Sequence, residues 1–450
     1  MELGDLRQQF EQMEELLSAG ATQQLRAKLS ELHPEDIADL LPRLEKEQRE
    51  VVLGLLDAET ASQVIAEVDA PERTDILLEM GASRLSELVD EMASNEAAEV
   101  IAELPEDLAG TVLTSLSQAD AAEVKALLGR KEGSAGRLMS TEIVKVDRDA
   151  TVQEAIESIR KAADEVENIQ YVYVVNHENI LMGLLPLREL LLTKSGHKVF
   201  EIMETGTISV NESMDQEEVA NTFRKYHLTA APVVDSRGRL VGRITADDIV
   251  DVIAEEDSED VSLMAGAVGE EIGEYAPLKI SRGRLPWLIV GLVGGLCSAA
   301  LMHYFSPAFH KVLALAFFVP VITAMGGNIG IQSASLTARG LATGEIQLLD
   351  AWRRFFRELK VALLNGMICG ALLGVVAGLW HGNLKFGAII GGALLVSTTV
   401  AATVGTSVPL LLKRVGVDPA VAAGPFVTIS NDILGLFIYL GLATALLSWL

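Results

Sequence analysis

The sequence predicts a multidomain chain: an all-α superhelical amino-terminal domain, an α/β pair of repeats, a linking helix, and an α-helical membrane domain with five transmembrane helices. Three observations carry this prediction. Acids and bases are divided unequally along the chain, two successive stretches repeat one strand–helix order, and apolar stretches of about 20 residues, enough to cross a bilayer, recur after Pro286. The 450 residues carry a formal net charge of −27, yet the mean hydropathy is +0.30. After Glu274 the acids are Glu345, Asp350, Glu358, Asp418 and Asp432, against twelve bases. The preceding stretch therefore holds 58 of the 63 acids and 24 of the 36 bases, a charge near −34 against +7 beyond it. Charge that dense repels itself unless counter-ions gather, and it makes nucleic acid a poor partner.

Residues 1–135 have helical periodicity and no strand signal, as in Leu25, Leu29, Leu32, Ile37, Leu40, Leu41 and Leu44. Short amphipathic segments recur about every two dozen residues. Capping or breaking residues open them, as at His33-Pro34-Glu35-Asp36, Asp57, Asp69-Ala70-Pro71, Ser94-Asn95-Glu96 and Ser117. A repeat of that length predicts stacked helix pairs. The start, Met1-Glu2-Leu3-Gly4-Asp5, has neither the basic nor the apolar region of a signal peptide. Cys297 and Cys369 lie in apolar spans and read as small core residues, not as a disulfide or metal site.

Residues 137–258 read as two copies, 137–197 and 198–258, of one β-α-β-β-α order. The first runs through Glu142–Val146, a helix from Thr151, Tyr171–Val175, Leu181–Leu185 and a helix from Leu187. The second runs through Thr207–Val210, Glu217–Tyr226, Ala231–Val234, Leu240–Ile244 and a helix from Ala246. This repeat resembles a tandem pair of CBS domains. Gly242-Arg243-Ile244-Thr245-Ala246-Asp247-Asp248 is similar to the motif that holds nucleotide ribose and phosphate in such pairs. The resemblance implies Thr245 and Asp248 as ligands for ATP, with helix capping by Thr245 the competing role. The first copy has Pro186 and Glu189 at the matching places.

A linking helix over 259–283 leads to the membrane domain, 284–450, with spans near 286–305, 312–336, 361–380, 386–411 and 425–450. Bases cluster before span one (Lys279, Arg282, Arg284), between spans two and three (Arg353, Arg354, Arg357, Lys360) and between four and five (Lys413, Arg414). The other side has Lys311 and Lys385. The positive-inside rule then puts the amino-terminal domains in the cytoplasm and the carboxy terminus outside a plasma (inner) membrane.

Asp432 is a lone carboxylate inside span five, where an ionisable group is expensive and faces protein or a water-filled path. In span two, Pro320, Gly326, Gly327, Asn328, Gly330 and Gln332 predict an interrupted or loosened helix whose freed backbone meets protein or water. Close helix approach is the other reading of the glycines. Asn328 and Gln332, four apart, share a face. Pro425, two turns before Asp432, predicts a kink beside the carboxylate. One or two carboxylates with retained waters suit Mg²⁺. No Cys or His stands near Asp432 to make a soft-metal site, although Mn²⁺ and Co²⁺ accept the same donors.

Gly326-Gly327-Asn328 with Gln332-Ser333-Ala334, Gly416-Val417-Asp418-Pro419-Ala420, and Asp432 followed by Gly435-Leu436 resemble the MgtE family of magnesium channels, as does the whole domain order. Ile331 and Gly424 depart from asparagines found in some relatives. The resemblance implies a homodimer in membrane lipid whose pore, on the two-fold axis, is lined by spans two and five. Asp432 is then the selectivity carboxylate, and Asn328, Gly326, Gly327 and Pro425 line the pore. It further implies regulatory Mg²⁺ bridged by Asp248, Asp251, Glu256, Glu259 and Asp260, with Glu217, Asp418 and Glu99 as further ligands. Asn95 and Gln63 weaken the amino-terminal surface as a ligand set. Each ion held only by the closed state contributes about 1 kcal/mol at a few times its Kd, and a full gating shift takes about 5.5 kcal/mol, so several weak sites suffice. The expected function is a Mg²⁺ channel shut by intracellular Mg²⁺. The alternative is a proton- or ion-coupled carrier of Mn²⁺ or Co²⁺. The spans hold no Ser/His/Asp set, His-Glu-x-x-His or paired catalytic aspartates for an intramembrane enzyme, and an acid in the path argues against an anion channel.

Overall fold

The computed structural model describes residues 3–163, 166, 168–266, 277–346 and 348–446, which form two units, Met1–Ile253 and Ala254–Leu450. In the first unit, helices begin at Thr22, Pro34, Lys46, Ala58, Ala70, Ala82, Ser94, Glu106 and Gln118, a step of 12 residues each time. Two steps make the repeat of two dozen residues that the capping pattern predicts. Asp57 accepts the Thr60 N–H at 2.8 Å and Ser117 accepts that of Asp120 at 3.2 Å. Such caps satisfy donors that a helix start leaves unpaired.

Ion pairs repeat with the helices. Arg49 holds Glu79 at 2.7 Å, and 24 residues later Arg73 holds Glu103 at 2.5 Å. Arg73 is 5% exposed and binds Glu99 as well. Arg73→Ala would strand the Glu103 carboxylate in a partly buried place. We expect it to destabilise the amino-terminal domain by about 3 kcal/mol, read as a drop in unfolding temperature of the full chain.

The two repeats form separate three-stranded sheets, β1 (Lys145–Asp147), β2 (Tyr171–Val175) and β3 (Leu181–Pro186), then β4 (Val210–Asn211), β5 (Ala230–Val234) and β6 (Leu240–Thr245). In each, the first pair is parallel and the second antiparallel, and the register shifts at equivalent places, Val174/Val175 and Val233/Val234. Gly183 and Gly242 occupy matching positions on β3 and β6. A Cβ at Gly183 would lie 2.4 Å from the Glu204 carbonyl oxygen, and one at Gly242 would lie 2.6 Å from that of Ser140. Each glycine thus admits the extended segment that opens the other repeat. The first strand is shorter than the sequence suggests because Glu142 leaves the ladder. Its carboxylate accepts the Ser94 N–H at 3.1 Å and the Ser94 hydroxyl at 3.0 Å, capping the helix Ser94–Glu103 from outside.

Among its described residues, the second unit contains five helices long and apolar enough to cross a membrane: Ile280–Tyr304, Ala314–Ala342, Leu348–His381, Leu384–Arg414 and Phe426–Ala445. Spans three and four meet through glycines. A Cβ at Gly370 would lie 2.6 Å from the Gly391 carbonyl oxygen, and one at Gly374 2.9 Å from that of Gly387.

Four expectations are corrected here. Span two is one helix, Ala314–Ala342, with Pro320 inside it. Pro320 lies near the helix start, and transmembrane helices tolerate such a residue where neighbours meet the freed carbonyl. Pro425 does not kink span five but opens it, in the first turn after Gly424, where a missing N–H leaves nothing unpaired. The linking helix does not begin at 259, because the last helix of the second repeat runs unbroken from Ala246 to Ala265. Of the expected segment, 267–276 lies outside the described residues. Finally, Cys297 is exposed on span one, not packed in a core.

Candidate functional site

The inward stripe of span five is Val427, Asn431, Gly435 and Tyr439, all buried. Asp432 lies one helical step of about 100° from Asn431 and is half-buried. It is the sole acid of that helix. On span two, Asn328 and Gln332 lie exposed along one face. The glycines beside them divide into two kinds. A Cβ at Gly326 or Gly327 would meet nothing within 4 Å among the described residues, whereas one at Gly330 would lie 1.7 Å from Asn431 Nδ2. Close helix approach therefore accounts for Gly330 but not for Gly326 or Gly327.

The last turn of the helix Ala246–Ala265 reaches this region. Met264 packs against Ala334 of span two and Val427 of span five. A Cβ at Gly424 would lie 3.1 and 3.0 Å from the carbonyl oxygens of Leu263 and Met264. The departure at Gly424 thus has a local consequence: a side chain there would press on that backbone.

The second constellation lies in the amino-terminal unit. Asp248, in the first turn of the helix Ala246–Ala265, accepts the Thr245 N–H at 2.8 Å and the Thr245 hydroxyl at 2.5 Å. Thr245 is thus tied to the helix start, and Asp248 serves as its cap. The other Asp248 oxygen accepts from Asn95 Nδ2 at 3.0 Å. Asn95 thus supplies a neutral donor that lets an acid approach an acidic domain.

Burial raises the Asp248 carboxyl above its ordinary range, against the bonds from Thr245. Partial desolvation, then Asp248, Glu99 and Asp247, raise Asp251. Glu67 is raised by the same cause first and then by Asp251, Glu35 and Asp247. The sequence reading omitted Glu67, whose place among these acids depends on tertiary folding.

The other expected residues are more scattered. Glu256, Glu259 and Asp260 follow on the same helix, in the second unit. Glu217 stands in the first turn of the helix Gln216–Tyr226. Exposed Asp418 accepts the Ala420 N–H at 2.8 Å at the start of a short helix before span five.

Comparisons with known proteins bear on the family of the chain. A family profile described as a divalent cation transporter, MgtE, matches residues 319–442. The MgtE intracellular N domain matches 32–133, and CBS domains match 135–195 and 199–255. The magnesium transporter MgtE of Bacillus subtilis is 37% identical over 332 residues, covering 73% of this chain and 74% of the relative. That of Thermus thermophilus is 39% identical over 329 residues, 72% of this chain and 73% of the relative. Among solved structures, the cytosolic domain of the Mg²⁺ channel MgtE in complex with ATP aligns at 37% identity with a TM-score of 0.51, covering 53% of this chain and 98% of that one. Helical domain, paired repeats and membrane helices match in order along one sequence, so the chain belongs to the MgtE family, a family of transporters and not of enzymes.

Proposed function

We propose that this protein is a Mg²⁺-selective channel for divalent cation uptake, shut from the cytoplasmic side by Mg²⁺ bound among its acidic domains. One observation carries the transport reading: the fifth span, otherwise free of charge, holds Asp432 half-exposed at mid-helix. The relatives named as magnesium transporters support Mg²⁺ as the cargo. In a homodimer with its pore on the two-fold axis, Asp432 becomes a facing pair. Two carboxylates suit an ion that keeps several of its waters. The exposed amides Asn328 and Gln332 and the unfilled flank of Gly326 and Gly327 complete the wall. The distribution of Lys and Arg supports amino-terminal domains in the cytoplasm and a carboxy terminus outside.

For gating, Asp248, Asp251, Glu256, Glu259 and Asp260 are the regulatory ligands, with Glu217, Glu99 and Asp418 contributing. Glu67 joins them because it shares the field of Asp247 and Asp251. Met264, between Ala334 and Val427, connects that acidic helix to spans two and five. Mg²⁺ draws the acids together and holds the helix end against the pore; without it, repulsion frees the helix. A nucleotide such as ATP belongs at the CBS pair. Thr245 and Asp248 would hold its ribose and phosphates after giving up their mutual bond.

The sign of the pH effect follows from the raised carboxyls. A group whose folded pKa exceeds its unfolded value stabilises the fold at low pH and loses that contribution as pH rises through the folded pKa. In low Mg²⁺, the amino-terminal helical domain, docked through Asn95 on Asp248, is therefore expected to gain protection from proteolysis as pH falls toward the raised carboxylate range. Added Mg²⁺ should give the same protection at pH 7. Protection that rises with pH and ignores Mg²⁺ would contradict the assignment.

Uptake of Mg²⁺ into proteoliposomes against Mn²⁺ and Co²⁺, with and without a proton gradient, tests the transport reading. Selective Mg²⁺ flux indifferent to the gradient is expected. Flux that follows the gradient would mark a coupled carrier instead.

A further inference from the structure

Asn431 is 1% exposed, and neither its Oδ1 nor its Nδ2 has a hydrogen-bond partner among the described residues. Several other buried polar side chains of this unit are provided for. Thr337, Thr398 and Thr406 donate to the carbonyl four residues back at 2.7, 2.8 and 2.9 Å. Ser397 of span four donates to the Gly435 carbonyl one turn beyond Asn431, at 3.4 Å. Asn431 instead presses its carboxamide into the notch at Gly330, beside Val427 Cγ1. On its far side, Gly330 is closed off by span four, where a Cβ at Gly405 would lie 2.4 Å from the Gly330 carbonyl oxygen.

An unpaired buried amide costs about 1–3 kcal/mol, and leucine, similar in shape, would fill the same notch without that penalty. Packing therefore gives no reason for asparagine here. Position does, because the next residue is Asp432. A turn of span five by about 50°, half a helical step, would bring the carboxamide out of the notch while leaving Asp432 on the same wall.

Resting on the reading of Asp432 as the path carboxylate, we propose that Asn431 is a second polar residue of that path, whose carboxamide meets the water shell of a hydrated divalent cation when span five turns away from Gly330. The packing described here holds that group in reserve. An amide suits such a role because its carbonyl oxygen accepts from the waters of the ion without adding a charge.

The test is Mg²⁺ uptake by the full chain in proteoliposomes, with unfolding temperature measured alongside. Asn431→Leu should keep or raise the unfolding temperature and lower flux about tenfold, the equivalent of one ordinary amide interaction. Asn431→Gln should recover part of that flux. Gly330→Ala, which denies the notch to the carboxamide, should retain flux. Wild-type flux in Asn431→Leu would overturn the proposal, as would Asn431→Gln no better than Asn431→Leu. Should Asn431→Leu not fold, Gly330→Ala decides: lost flux at a normal unfolding temperature overturns the proposal. Asp432→Asn, run in parallel, separates the two readings. If it alone abolishes flux, failure of the Asn431 variants counts against this proposal only; if it transports normally, the reading beneath it falls.

Discussion

Asp432→Ala is expected to reduce Mg²⁺ uptake to that of protein-free vesicles while the protein stays folded. The two halves of this result follow from one fact. A half-buried carboxylate in an apolar span lowers stability, so removing it does not undermine the fold. Nothing else in span five can take its place, since that helix has no other charged residue. A dication entering the bilayer then meets no compensating anion, and the remaining hydroxyls and amides, which can meet its retained waters, carry no charge to replace it. Asp432→Asn should fail nearly as completely, because it restores shape and hydrogen bonding but not charge. An acid that only braced a helix would show the reverse pattern, with lowered unfolding temperature and flux rescued by asparagine.

The second large effect is expected in regulation. Neutralising Asp248, Asp251 and Glu259 together should leave Mg²⁺ uptake running at internal concentrations that silence the wild-type protein. If each weak site contributes about 1 kcal/mol to closure, three remove about 3 kcal/mol of the roughly 5.5 kcal/mol that a full shift takes. The ratio of closed to open protein then falls more than about a hundredfold. Dose–response curves for internal Mg²⁺ measure this directly. Unchanged inhibition in the triple variant would remove the sensor from these residues.

Sequence and structure agree where the signal is local. The repeat of about two dozen residues is legible because its segments open on their own caps or breakers, such as Asp57 or Ser117, although the 12-residue step within it is not. The two α/β repeats are legible because strand and helix periods alternate in the same order twice. Asp432 stands out by charge alone. Two of the corrected expectations share a cause: the effect of a proline depends on its depth in a helix, not on its presence. Pro425 in a first turn starts a span, and Pro320 near the beginning of another leaves it whole. The β-rich neighbours of Glu142 predict a strand there, whereas its carboxylate is drawn to the Ser94 N–H, 48 positions away. Asn431 was legible as a residue but not as an unpaired one, since its lack of partners depends on Gly330 and Gly405 from two other spans.

The central claim is a pair of anionic side chains around one hydrated dication. An anomalous difference map of Mn²⁺-soaked crystals of the intact protein tests it most directly. The account predicts a peak on the two-fold axis of a dimer, flanked by both Asp432 carboxylates. A map with those carboxylates remote from the axis and turned toward lipid, and no peak between them, would contradict it.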